Sequence, residues 1–177
     1  IENVGFPVRE PMLAAGEVDA ITGFSFSSFL NLKSKGVKEE DINVMLMSDY
    51  GLKLYGNTVI VNPDFAAENP QLVKGFVRAI IRGWMDTIAD PSSAIDHLME
   101  RNKIARRNVE LERLEMAIRD NVITAEVKKR GFGDVEGQRL TESINQVGLT
   151  YDFSNKPTAA SVFTSEFLPA MSQRKVN

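Results

Sequence analysis

Six consecutive residues, Phe24-Ser25-Phe26-Ser27-Ser28-Phe29, are the first place in this sequence where residue types suggest chemistry. They follow the apolar run Val18-Asp19-Ala20-Ile21 and alternate rings with hydroxyls. A hydrophobic core has little use for three serines, and a solvated loop has little use for three phenylalanines. A small-molecule pocket uses both, rings for the flat or apolar part of a ligand and hydroxyls for its polar end. If the run opens a helix behind a strand, free backbone N–H groups and the positive end of the helix dipole add to the donors. The bland alternative is that one serine caps the helix and the others fill space. A second group is Asp49, Tyr50, Tyr55 and Asn57, two rings and an amide around Gly51 and Gly56. These could line a pocket or simply form a surface turn leading into a strand. The candidate ligand-binding residues are therefore Phe24, Ser25, Ser27, Tyr50, Tyr55 and Asn57.

Nothing in the chain reads as catalytic. There is no G-x-S-x-G, no phosphate-cradling glycine loop and no H-E-x-x-H. Cysteine is absent and His97 is the single histidine, which removes thiol nucleophiles, disulfides and multi-histidine metal sites. His97 sits among Ile95, Leu98 and Met99 with no nucleophile beside it in sequence. Glu110, Glu112 and Glu115, with Arg113, read as a solvated helix face. Trp84 could be a stacking platform, but it lies on the apolar stripe of a long helix, where core packing is the ordinary role. No metal and no cofactor is expected.

The elements that must position these groups divide near residue 50. Before it, Arg9 to Ala15 reads as a short helix stopped by Gly16, Val18 to Phe24 as a strand buried on both faces, Ser25 to Lys35 as a helix stopped by Gly36, and Ile42 to Met47 as a second strand. Asn57 to Asn62 is a third strand, rich in β-branched residues. After it the chain is helical. Asn62-Pro63, Asn69-Pro70 and Asp90-Pro91 each pair a capping side chain with proline at the first helical position, where the missing N–H costs nothing. Val73, Phe76, Val77, Ile80, Ile81, Trp84 and Ile88 form a stripe of helical period on a helix running to about Ala89. Further helices carry Leu111, Leu114, Ile118 and Val122, then a short segment capped by Thr124 and ended by Gly131, then one capped by Asp134. The tail from Thr158 to Pro169 is expected to pack Val162, Phe163, Phe167 and Leu168 onto the body.

The chain has 177 residues and a net charge of −3, enough to bury a core and without the basic face that nucleic acid requires. No apolar run approaches the roughly 20 residues that span a bilayer. The chain opens on Ile1 with no signal peptide and runs at once into a helix, which reads as a piece whose beginning lies elsewhere.

The order REPMLAAGEVDAITGF, then DYGLKLYGNTVIVNPDFAAENPQLVKGFVRAIIRGWMDTIADPSSAI, then NVITAEVKKRGFGDV resembles the C-terminal half of ABC-importer solute-binding proteins of the nitrate, sulfonate, taurine and thiamine-pyrimidine group. That resemblance implies an α/β fold of the type II periplasmic-binding kind, with two lobes and the solute between them. Residues 1–49 would be part of the second lobe, and residues 50–177 would return to the first, mainly as helices. It implies a small organic solute, an ABC permease as membrane partner, and an extracytoplasmic location, periplasmic or membrane-anchored. In the group, the segment after G-x-V-D-A-I reaches the cleft, and many sulfonate-type members carry a Trp-Asp-Pro-like sequence there. Here it reads Phe-Ser-Phe-Ser, which suits an anionic or neutral planar molecule better than a cation. Thiamine-pyrimidine synthases share the family shape but use a cysteine-rich motif and a histidine in the site, which this chain lacks at the expected place. A ligand-sensing domain of a signalling protein is the third alternative.

Overall fold

A computed structural model describes residues 1–176. Its elements are helices: α1 (Phe6–Ala14), α2 (Ser25–Ser34), α3 (Pro63–Glu68), α4 (Pro70–Ala89), α5 (Pro91–Arg101), α6 (Arg107–Ala117), α7 (Ala125–Arg130), α8 (Gly137–Val147) and α9 (Ala159–Val162). A π-helical turn, Ile118–Val122, extends α6, and 3-10 turns lie at Glu39–Asp41, Met47–Tyr50 and Met171–Gln173.

The helix ends follow local chemistry. Gly16 and Gly36 take positive φ, 72° and 90°, the left-handed conformation that ends a helix and costs glycine least. Behind them Glu17 N–H bonds back to Met12 C=O at 2.9 Å and Val37 N–H to Leu32 C=O at 3.2 Å. Asn62 Oδ1 accepts from Asp64 and Phe65 N–H at 2.8 and 3.3 Å, Asp90 from Ser93 N–H at 3.0 Å, and Thr124 from Val127 N–H at 3.2 Å. Asn69 works in the other direction. Its amide donates to Phe65 C=O at 3.2 Å and so closes the end of α3 instead of capping α4. Asp134 does not cap α8 either; Glu136 does, accepting from Arg139 N–H at 2.6 Å.

The expected α/β, type II periplasmic-binding architecture is not what this chain forms. Among the described residues there is no strand and no sheet. The three segments expected as strands form none, the first with a bend at Asp19, and have nothing to pair with. The backbone groups of residues 18–21, 43–45 and 55–61 make no hydrogen bond among the described residues. A strand needs a neighbouring ladder, and a β-branched sequence supplies only the preference for one. Their apolar side chains are correspondingly open: Ile60 is 90% exposed and Met45 62%. Val18 and Ile21 are half-buried, not covered on both faces.

What packs is a row of helices, α1 on α2, α2 on α6, α6 on α5, α5 on α4 and α4 on α3, with α8 against α9. The buried apolar residues are few: Leu30, Leu32, Ala66, Val73, Ile81, Ile95, Ile118 and Val176. On α4 the stripe holds at Val73 and Ile81, leaves Ile80 and Trp84 half-buried, and fails at Phe76, which is 57% exposed. In the tail, Phe163, Phe167 and Leu168 are half-buried while Val162 is exposed. Trp84 meets Phe132 at 5.9 Å between ring centres, so its role is packing.

The tail is clamped by Gly131-Phe132-Gly133-Asp134. Both glycines take positive φ, and a Cβ on Gly131 would fall 2.7 Å from Met171 Sδ and 2.9 Å from Arg174 Nη1. Arg174 donates to Arg130 C=O at 2.7 Å and to Pro169 C=O at 3.1 Å, while Phe132 N–H bonds to Arg174 C=O at 2.7 Å.

Candidate functional site

Between α1 and the start of α2 lies an open groove of about 540 Å³. Its position follows from the glycine stop at Gly16, which turns the chain so that residues 17–24 return along α1 before α2 begins. The groove is lined by Phe6, Arg9, Glu10 and Pro11 from α1 and by Thr22, Gly23, Phe24, Ser27, Ser28, Asn31 and Lys35 from the second limb.

The apolar part of the lining is aromatic. Phe24 and Phe26 stack at 5.5 Å with 20° between their planes, and Phe24 is 59% and Phe6 68% exposed. Phe26 itself is half-buried and lies outside the groove lining, so the rings that offer a face to a flat molecule are Phe24 and Phe6. Gly23 lets Ser28 come close: a Cβ there would stand 2.1 Å from Ser28 Oγ.

The polar part is held by three arrangements. Arg9 lies over the Phe6 ring at 4.2 Å and donates to Thr22 C=O at 3.1 Å, Thr22 Oγ1 at 3.2 Å and Val4 C=O at 3.5 Å. It ties α1 to the returning limb. Glu10 Oε1 accepts from Asn31 Nδ2 at 3.5 Å. Burial alone would raise the Glu10 carboxyl, but its backbone, Ser28 and Asn31 hydrogen bonds and the charge of Lys35 together hold it below the usual carboxylate value. From behind, Arg113 of α6 donates to Phe26 C=O at 3.2 Å and Ser27 Oγ at 3.3 Å, and pairs with Glu110 at 3.0 Å. A second, smaller recess of about 150 Å³ lies on that side, between α2 and α6.

Of the residues singled out by sequence, Phe24 and Ser27 line the groove. Ser25 is the first residue of α2 and half-buried, and it does not cap the helix; Phe24 holds the N-cap position without a side-chain bond. Tyr50 lies in the 3-10 turn before Gly51 and is 71% exposed. Asn57 is exposed on the segment before α3. Neither lines the groove.

Tyr55 belongs to a separate polar cluster. Its hydroxyl donates to Glu126 and accepts from Glu136 N–H at 2.8 Å. Arg139 stacks on the Tyr55 ring at 4.2 Å, donates to Glu126 Oε2 at 2.7 Å and reaches the carbonyls of Lys53 and Leu54 at 3.1 and 3.0 Å. Burial, then the Glu126 carboxylate, pushes the Tyr55 phenol up. Burial works against the Glu126 charge, but the bonds from Tyr55, Arg139 and Glu136 N–H outweigh it and lower its carboxyl. The cluster pins residues 53–55 to α8.

Arg9, Glu10 and Asn31 are the site residues that sequence reasoning missed. Arg9 and Glu10 read as the polar start of a helix, and no periodicity links them to a limb more than ten residues later. Among the described residues, no group of three or more His, Cys, Asp or Glu could hold a metal, and no helix is long and apolar enough to cross a membrane.

Comparison with known proteins bears on the same region. The chain is similar to the riboflavin-binding protein RibY of Chloroflexus aurantiacus, 28% identical over 177 residues, an alignment that takes in 96% of this chain and 47% of the relative. It thus spans about half the length of the curated relative that it matches. No solved structure matches. The family described as "NMT1/THI5 like" matches residues 1–94, which include α1, the returning limb and the whole of α2. With more than half of its 177 residues matched, the chain belongs to the NMT1/THI5-like family.

Proposed function

We propose that this chain is part of an extracytoplasmic solute-binding protein that captures a small planar organic solute and delivers it to an ABC permease. A flavin is the first solute to test, because the similar Chloroflexus protein is named for binding riboflavin. The observation that carries the reading is the groove itself: an exposed Phe24, backed by the half-buried Phe26 stacked on it, beside Glu10, Asn31 and Ser28. A flat heterocycle laid against Phe24 would bury ring surface while its polar edge met the side chains deeper in the groove. Ser27 would contribute a hydroxyl near that edge. In this reading residues 1–49 supply the groove, and residues 50–177 supply the helical body that backs it through Arg113.

The test is a titration of the full-length protein with riboflavin, followed by quenching of flavin fluorescence. Phe24→Ala should weaken binding several-fold, because an aromatic contact of this kind contributes about 0.5–1.5 kcal/mol beyond area burial. Unchanged affinity with an intact fold would place the solute elsewhere.

A further inference from the structure

We infer that Glu10 selects the solute by accepting a hydrogen bond from a neutral N–H on the edge of a planar ring, the N–H of an imide or lactam. The inference rests on the solute-binding reading above and names the chemistry of the solute's polar edge.

Three observations lead to it. First, Glu10 has acceptor capacity to spare. It lines the groove, it accepts a long bond from Asn31 at 3.5 Å and further bonds from Ser28 and its own backbone, and no cation lies within 4 Å of it among the described residues. A carboxylate offers about four lone-pair positions, so a donor on the solute finds an open partner. Second, the neighbouring cation is committed elsewhere. Arg9 is turned to Thr22 and Val4 and makes no ion pair with Glu10, which feels Lys35 only through its charge. Third, charge disfavours an ammonium as the donor. The groove carries Arg9 and Lys35 against Glu10 alone, so a cationic solute meets a net positive lining while a neutral N–H does not. The exposed ring of Phe24 requires the group bearing that N–H to be flat. A ring N–H between carbonyls meets all three conditions, with the Asn31 amide and Lys35 as donors in reach of its flanking oxygens.

A hydrogen bond from a neutral donor to an ionised carboxylate is stronger than a neutral pair, and its loss corresponds to roughly tenfold or more in affinity. The experiment is isothermal titration of the full-length protein with riboflavin and with N3-methylriboflavin, whose imide N–H is replaced by a methyl group. Wild type should bind the methylated ligand about tenfold or more weakly. Glu10→Gln and Glu10→Ala should lose a similar factor for riboflavin, and in Glu10→Ala the two ligands should bind almost equally. Riboflavin binding that is unchanged in both variants, or a methyl penalty that persists in Glu10→Ala, overturns the inference and leaves the solute reading standing. Absence of any riboflavin binding to wild type overturns both. Equal binding of the two ligands by wild type would overturn the inference as well, and that outcome is read without either variant.

Discussion

At the scale of single residues, Tyr55 and Glu126 anchor the polar cluster that holds residues 53–55 to α8. Tyr55→Phe would remove a hydroxyl that donates to Glu126 and accepts from Glu136 N–H, taking one bond from each while Glu136 N–H keeps Glu126 at 2.9 Å and Glu126 keeps Arg139. The expected cost is about 1–3 kcal/mol, read by denaturant unfolding. The same cluster makes stability depend on acid. Glu10, Glu126 and Glu136 are all held below the ordinary carboxylate value of 4.5. A carboxyl that is more acidic when folded contributes its stability above its unfolded value and loses it as pH falls through the folded one. Stability should therefore decline as pH drops below about 4.5, and Glu126→Gln should flatten that decline while lowering stability at neutral pH. Melting temperatures between pH 3 and pH 7 check both. These pairings were invisible in sequence because Tyr55 and Glu126 stand 71 positions apart. A tyrosine beside Gly56 looks the same whether its hydroxyl faces a solute or a glutamate.

Helices and their ends were the legible level. Asn-Pro, Asp-Pro and Thr signals placed the starts of α3, α5 and α7, because capping is a matter of a few bonded neighbours, while at α4 the proline at the first helical position marks the start and Asn69 makes no cap. The stripe on α4 was legible as a stripe, but its depth was not. Periodicity says which side chains share a face; only the neighbouring elements decide how far that face is covered. The consequence is a difference between two substitutions that sequence would treat alike. Ile81→Ala, at a buried position, should cost roughly 2–5 kcal/mol. Phe76→Ala, at a largely exposed one, should cost much less, and thermal unfolding of the pair separates them. Gly131→Ala should destabilise the tail by more than 1 kcal/mol, since positive φ alone costs about that much in a non-glycine residue and the added carbon would collide with Met171 and Arg174.

Across the whole molecule, the strand expectations were local readings of Val18-Asp19-Ala20-Ile21 and Thr58-Val59-Ile60-Val61, and those residues form no strand. The sheet was not local information. Pairing belongs to whatever lies alongside, and here nothing among the described residues does. The groove was half legible for a similar reason: Phe24 and Ser27 announced themselves by type, while Glu10 reaches them only through the turn at Gly16. The bare segment at residues 55–61 also sets a clock that can be read one amide at a time. Its N–H protons have no acceptor among the described residues, so in deuterated water they should exchange at close to the rate of an unstructured peptide, while the amides in the middle of α4, each bonded to the turn before it, persist far longer. Mass spectrometry of peptides covering residues 55–61 and 73–85 gives the ratio directly. Slow exchange at Val59 and Ile60 would mean that in solution another stretch of backbone has come to lie beside them.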